Sequence, residues 1–278
     1  MFSFKESPKE NSKMNDTLGI LPEGLWLVTL NATAGLMLGA GILSGAAALA
    51  NLGNPSHLYT TALSSVVCFV AWYHYNKIFS TAFEYVQKGA TYKSFHQDPT
   101  AQPERTPLVG KQAKSFTIPD IINAYRLSDW LATLPLLGLE LEELAKQKGK
   151  NMFLPAPYVT ALLLFGGISV GAITRFGFSL HTNPRKWLGW VFWFASTGLI
   201  GVAYANLLYS DDTTIIVFTA PWALYMALDI VEIGWGSDFF HDVVYAALDV
   251  WSKACLAIYV SSKACDVDIL TDARNVTG

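Results

Sequence analysis

The chain has 278 residues, of which 52% are hydrophobic and only 15% charged, where an ordinary soluble domain carries about a quarter charged residues. Its mean hydropathy is +0.31, and aromatic residues make up 13%, including nine Trp. Intrinsic disorder and a secreted mini-protein are excluded, and a net charge of −3 leaves no broad basic surface for nucleic acid. Three Cys (Cys68, Cys255, Cys265) with no CxxC pair supply neither a zinc site nor a disulfide framework, so no metal is expected. Cys68 and Cys255 lie in apolar runs and read as small buried hydrophobes. The composition is that of an integral membrane protein.

A polar stretch comes first, residues 1–21. It lacks the short charged region and cleavage site of a signal peptide, so the first apolar span reads as an uncleaved anchor. Runs of about 20 apolar residues then predict seven helices, at 24–50, 58–82, 119–145, 155–176, 187–209, 213–235 and 242–261. The first is rich in Gly and Ala, which lets helix backbones approach closely. Residues 83–118, with Pro99, Pro103 and Pro107, read as a long extramembrane loop. Only Ser210, Asp211 and Asp212 join spans five and six, and residues 263–278 form a polar tail. Alternation of period two is absent, which disfavours an outer-membrane barrel. The expected fold is all-α, a seven-helix bundle over residues 22–262. Lys146, Lys148 and Lys150 after span three favour a cytoplasmic location for that end, although the other loops do not repeat the bias.

Ionisable residues inside a membrane are costly and usually functional. His74 lies in span two, Arg126, Asp129 and Glu140 in span three, and Asp249 with Lys253 in span seven. Asp249 and Lys253 are i and i+4 on one helix face. Asp129, Thr133 and Glu140 also share a face, with Glu140 about 16 Å along the axis from Asp129. A ladder of carboxylates through the bilayer suits proton movement. Each residue also has a plainer reading: Asp249–Lys253 as a structural ion pair, Glu140 as the start of a solvated run with Glu142 and Glu143, and His74 as part of an interfacial aromatic belt. One bundle carrying all six favours function.

The string Tyr125-Arg126-Leu127-Ser128-Asp129-Trp130-Leu131-Ala132-Thr133-Leu134-Pro135-Leu136-Leu137 resembles the third helix of microbial (type 1) rhodopsins, whose pattern is Arg-x-x-Asp-Trp-x-x-Thr-x-Pro-Leu. Asp249-Val250-Trp251-Ser252-Lys253 resembles the family's Asp-x-x-x-Lys. The resemblance implies that Lys253 binds all-trans retinal as a protonated Schiff base, with Asp129 as counter-ion and proton acceptor and Asp249 as second counter-ion. It implies that Arg126 tunes them from the extracellular side, and that Trp130 and Thr133 pack on the chromophore and hydrogen-bond the acceptor. Asp129, Thr133 and Glu140 together, and Ala71-Trp72-Tyr73-His74-Tyr75, resemble the proteorhodopsin and xanthorhodopsin branch. There, Glu140 would be the proton donor, His74 would bond to the acceptor, and Leu137 would tune absorption toward green. The family's Trp-x-x-Tyr-Pro is matched by Trp222 and Tyr225, but Met226 replaces the Pro and Pro221 precedes the Trp; Asp229 falls two turns on, near the ring end of retinal or against another helix.

Two departures bear on function. The short five–six connection would truncate the cytoplasmic half of helix six, the part that moves in pumps. Members of the xanthorhodopsin group bind an antenna carotenoid beside a Gly in helix five; here Phe192 or Trp193 occupies that region and Gly189 is out of register, so the carotenoid is disfavoured. The resemblance implies a light-driven outward proton pump, not an enzyme, in the cell membrane with its N-terminus outside. Its partners would be protons, the lipid bilayer and further copies in a trimer or pentamer. A retinal-based photosensor or light-gated channel is the alternative.

Overall fold

In the computed structural model the described residues form helices and no strand. The description covers residues 10–87, 118–154, 156, 158–177, 186–235 and 239–265, without the side chains of 10–23, 118–120, 174–177, 186 and 229–241. The helices are α1 (Glu10–Ala50), α2 (Pro55–Gln87), α3 (Ile118–Gln147), α4 (Val159–Gly177), α5 (Lys186–Leu208) and α6 (Thr213–Trp235). The seventh, α7, consists of Phe239–Asp249, a π-helical turn Val250–Cys255, and Leu256–Ala264. Consecutive helices pack side by side and α7 returns to α1 and α2, closing the ring.

The molecule buries ionisable groups in an otherwise apolar interior and exposes large apolar side chains. Arg126, Asp129, Glu140, Asp249 and Lys253 are buried, whereas Leu162, Phe165, Val191 and Phe194 are exposed. Water would penalise that arrangement and a hydrocarbon surround would not. Gly24–Ala50, Trp187–Leu208 and Asp242–Ala264 are long and apolar enough to cross a membrane, and Val159–Ile173 and Thr213–Leu228 are shorter apolar stretches. The chain is an integral membrane protein.

Close helix contacts use small residues, because attraction between helices in lipid comes from packing and hydrogen bonds rather than from the hydrophobic effect. A Cβ at Gly41 of α1 would lie 3.3 Å from Cys68 Cβ on α2, and Ser65 Oγ donates to the Gly41 carbonyl at 2.9 Å. Between α4 and α5, Ser196 Oγ donates to the Gly167 carbonyl at 2.7 Å. At the end of the bundle where α3 stops, Glu142 accepts from the Thr160 N–H that opens α4 (3.1 Å). Asn206 of α5 donates to Thr160 Oγ1 (3.0 Å) and accepts from Leu154 N (2.6 Å). That buried network ties α3, α4 and α5 together.

Several boundaries differ from the sequence expectations. α1 begins at Glu10, inside the stretch read as a polar leader, and α2 runs to Gln87: apolarity limits what sits in a bilayer, not what can be helical. α4 begins at Val159 rather than 155; Tyr158, just before it, has φ +67°, which breaks helical geometry. The α5–α6 turn is residues 209–212, with Asp211 at φ +50°. Cys255 is exposed while Cys68 is buried, since apolar runs in a membrane protein face lipid as readily as the core. Residues 88–117 and 266–278, which hold most of the expected loop and tail, and the Asp229 side chain lie outside the described residues.

Candidate functional site

The ring of helices converges on Lys253. Its side chain is fully buried within the π-helical turn of α7; such turns are rare and recur at functional positions. The Lys253 ammonium forms ion pairs with Asp129 of α3 and with Asp249 Oδ1 at 3.0 Å. Asp249 is held further: Tyr75 of α2 donates to its Oδ2 at 2.6 Å and Tyr225 of α6 to its Oδ1 at 2.7 Å. Asp129 is bound on one side only, for its Oδ1 is buried with no hydrogen-bond partner among the described residues. One cation thus faces two carboxylates, one fixed by phenols and one with a free acceptor atom.

Aromatic rings enclose this centre. Trp130 lies 5.3 Å from the Tyr225 ring and 5.7 Å from Tyr245, and Tyr225 stacks on Tyr245 at 5.7 Å. Trp222 is buried with Leu134, Leu137, Leu141 and Phe218 in one apolar cluster. The indole N–H groups of Trp130 and Trp222 are buried without partners among the described residues. Toward the α3 N-terminus, Arg126 Nη1 pairs with Asp242 Oδ1 at 2.7 Å, both nearly buried, and the guanidinium lies over the Tyr245 ring at 5.7 Å. Toward the α3 C-terminus, Glu140 is fully buried and accepts from Ser64 Oγ of α2; it is therefore no solvated cap.

Two expected contacts take other partners. Thr133 Oγ1 donates to the backbone carbonyl of Asp129 at 2.8 Å, not to its carboxylate, because bonding back one turn is the local well for a helical Thr. His74 contacts the Val70 carbonyl (2.8 Å) and Ser128 Oγ (3.1 Å) rather than Asp129. Ser128 and Asp129 point about 100° apart on the helix, and the Asp129 carboxylate turns inward to Lys253. Four contributors went unassigned in the sequence: Tyr75, Ser64, Tyr245 and Asp242. Asp242, Tyr245, Asp249 and Lys253 are spaced by three, four and four, a single helix face, so two of them carried a readable signal. Tyr75 and Ser64 act across helices and carried none.

Outside the apolar spans, Asp212 closes the α5–α6 turn. Its Oδ1 accepts from Lys148 Nζ (2.8 Å), Thr214 N (2.9 Å) and Ile215 N (3.3 Å). Partial burial alone would raise this carboxyl, but the Lys148 ammonium and the two backbone N–H groups outweigh burial and hold it below the usual carboxylate range.

No family model matches the chain and no curated protein does. Solved structures do. Xanthorhodopsin, described as a light-driven ion pump with dual chromophore, superposes with a TM-score of 0.59 over 87% of this chain and 93% of its own, at 18% identity. The fold is that of the microbial rhodopsins. A proton-pumping rhodopsin from the marine alga Acetabularia acetabulum gives 0.57 over 87% and 94%, at 17% identity. A blue light-absorbing proteorhodopsin gives 0.54 over 87% and 98%, at 15% identity. Within the rhodopsin fold, the Lys253 centre lies at the middle of α7, facing α3.

Proposed function

We propose that the chain is a light-driven outward proton pump that carries retinal on Lys253 Nζ. The observation that carries this reading is the placement of Lys253 between Asp129 and Asp249, with a further buried carboxylate, Glu140, about 16 Å along α3 from Asp129. The residues fit the group. A primary amine sits in a water-poor site beside two carboxylates, which suits a linkage that stays cationic, and Trp130, Leu137, Trp222 and Tyr225 supply flat apolar surface around it. When bound, retinal supplies light absorption and an isomerisation that reorients the Lys253 nitrogen.

Asp129, whose Oδ2 faces Lys253 Nζ, is placed to take the proton that this nitrogen would give up, and its Oδ1 has no competing donor among the described residues. Asp249 is the anchored partner, held by hydrogen bonds from both Tyr75 and Tyr225. Glu140 gives a proton back toward Lys253 from the cytoplasmic side. Arg126, tied to Asp242, places a fixed positive charge on the extracellular side of Asp129. Structural similarity to a light-driven ion pump and to a proton-pumping rhodopsin supports the reading, under which the N-terminus would lie outside.

A second reading, a photosensor or light-gated channel, draws support from the short α5–α6 turn and its Lys148–Asp212 ion pair, which clamp the α6 terminus. Glu140→Gln separates the two. In a pump, recovery of the dark absorbance after a flash slows markedly; an unaltered recovery would remove Glu140 from the donor role and favour the sensor.

A further inference from the structure

A donor at Glu140 must itself be recharged, and Glu140 faces α2 across the seam between α2 and α3. A cavity of about 470 Å³ opens there, lined by Ser56 and Tyr59 of α2, Glu142, Glu143 and Lys146 of α3, and Tyr158. It has room for several waters. On the cavity wall, Ser56 Oγ donates to Glu143 Oε1 at 2.9 Å, and Gln147 Nε2 donates to Ser56 Oγ at 2.7 Å. Deeper in, the same two helices pair again, through Ser64 and Glu140. The other oxygen of Glu140, Oε2, is buried with no hydrogen-bond partner among the described residues.

Ser56, Thr60 and Ser64 are i, i+4 and i+8, so their hydroxyls stand in a row on one face of α2, about 12 Å from end to end. Thr60 and Ser64 are buried; Ser64 donates to Glu140, while Thr60 Oγ1 donates back to the Ser56 and His57 carbonyls at 3.2 Å each, a bond that must turn for Thr60 to pass a proton on. Glu142 is an unsuitable first acceptor, since it is nearly buried and takes the Thr160 N–H. Glu143 is half-buried at the cavity, with Lys146 3.9 Å from its Oε2.

We propose that Glu143 is the proton-uptake carboxylate for Glu140, and that the proton passes along the Ser56–Thr60–Ser64 row within the α2–α3 seam, without α6 swinging away. Glu143 takes a proton from water. Each hydroxyl, with a water bridging the roughly 6 Å between neighbours, accepts one proton and releases one. Glu140 ends protonated and Glu143 returns to carboxylate. This rests on the donor role of Glu140, but its test does not use light.

The carboxyl infrared band that Glu140→Gln deletes is followed in bilayer-reconstituted protein as the buffer is switched from H2O to D2O in the dark. Glu143→Gln is expected to slow exchange at Glu140 by roughly 100-fold, the scale of a positioned acid–base group, and Glu143→Asp to restore most of it. Ser56→Ala and Thr60→Val should slow it in the same direction, which keeps the test open if Glu143→Gln folds poorly. Exchange as fast in these variants as in the parent overturns the proposal. So does slowing that follows Lys148→Met instead, which would place uptake beneath α6. A parent protein that exchanges through Glu143 yet moves no protons in light would leave the seam standing and remove the pump.

Discussion

Tyr75→Phe isolates one bond at the centre of the site. Tyr75 is 2% exposed, and the substitution leaves its ring in the cluster it shares with Trp26, Leu30 and Ile78. Only the hydroxyl that donates to Asp249 Oδ2 at 2.6 Å is lost. Asp249 keeps Tyr225 at 2.7 Å and Lys253 at 3.0 Å, so the carboxylate stays in place with one oxygen short of a donor. A hydrogen bond to a charged buried group contributes about 1.5–3 kcal/mol, equivalent to a roughly 10- to 150-fold change in the unfolding constant. The assay is reversible unfolding in mixed micelles, followed by helix content, with Tyr73→Phe as the control. Tyr73 is 51% exposed, and its variant should stay within about 0.5 kcal/mol of the parent. If Tyr75→Phe is as neutral as Tyr73→Phe, the Tyr75 hydroxyl does not anchor Asp249, which contradicts its role as the held carboxylate.

Three further outcomes follow. Lys253→Ala should abolish visible absorption after reconstitution with retinal; a retained visible band would place the chromophore elsewhere. Asp212 has a depressed carboxyl, so its stabilising contribution is present above the unfolded value of about 3.9 and fades as pH falls through the lower folded value. The melting-temperature gap between the parent and Asp212→Asn should therefore be full at neutral pH and shrink below about pH 4; a gap that widens on acidification would contradict the sign. A Cβ at Gly167 would sit 2.6 Å from Ile200 Cγ1 and 3.2 Å from the Ser196 carbonyl, whereas at Gly198 it meets nothing within 4 Å. Gly167→Ala should destabilise by about 1 kcal/mol, overpacking exceeding the gain in helix propensity, while Gly198→Ala should be neutral or stabilising in the same melt.

The number and order of helices were legible from runs of about 20 largely apolar residues, of which Gly24–Ala50, Trp187–Leu208 and Asp242–Ala264 are, among the described residues, long and apolar enough to cross a membrane. The pairing of Lys253 with Asp249 was legible as well, since i and i+4 on a helix must share a face. That Asp129 would meet them depended on a likeness of motif, because nothing in spacing says which face of α3 turns toward α7. Contacts made across helices were hidden for the same reason: Ser64 on Glu140 and Tyr75 on Asp249 join residues 76 and 174 positions apart. His74 shows how fine the margin is, since its partner is the neighbour of the expected one. Asp242 opens the seventh span, where an ionisable residue is ordinary, so its position alone does not announce the ion pair with Arg126.

The measurement that bears most directly on the account is the external pH of an unbuffered suspension of retinal-fed cells under green light, with and without a protonophore. Outward pumping predicts acidification in light that the protonophore abolishes. No change, or a flux that only follows an imposed gradient, would contradict outward pumping and turn attention to the clamped α6 terminus as the output of a sensor or channel.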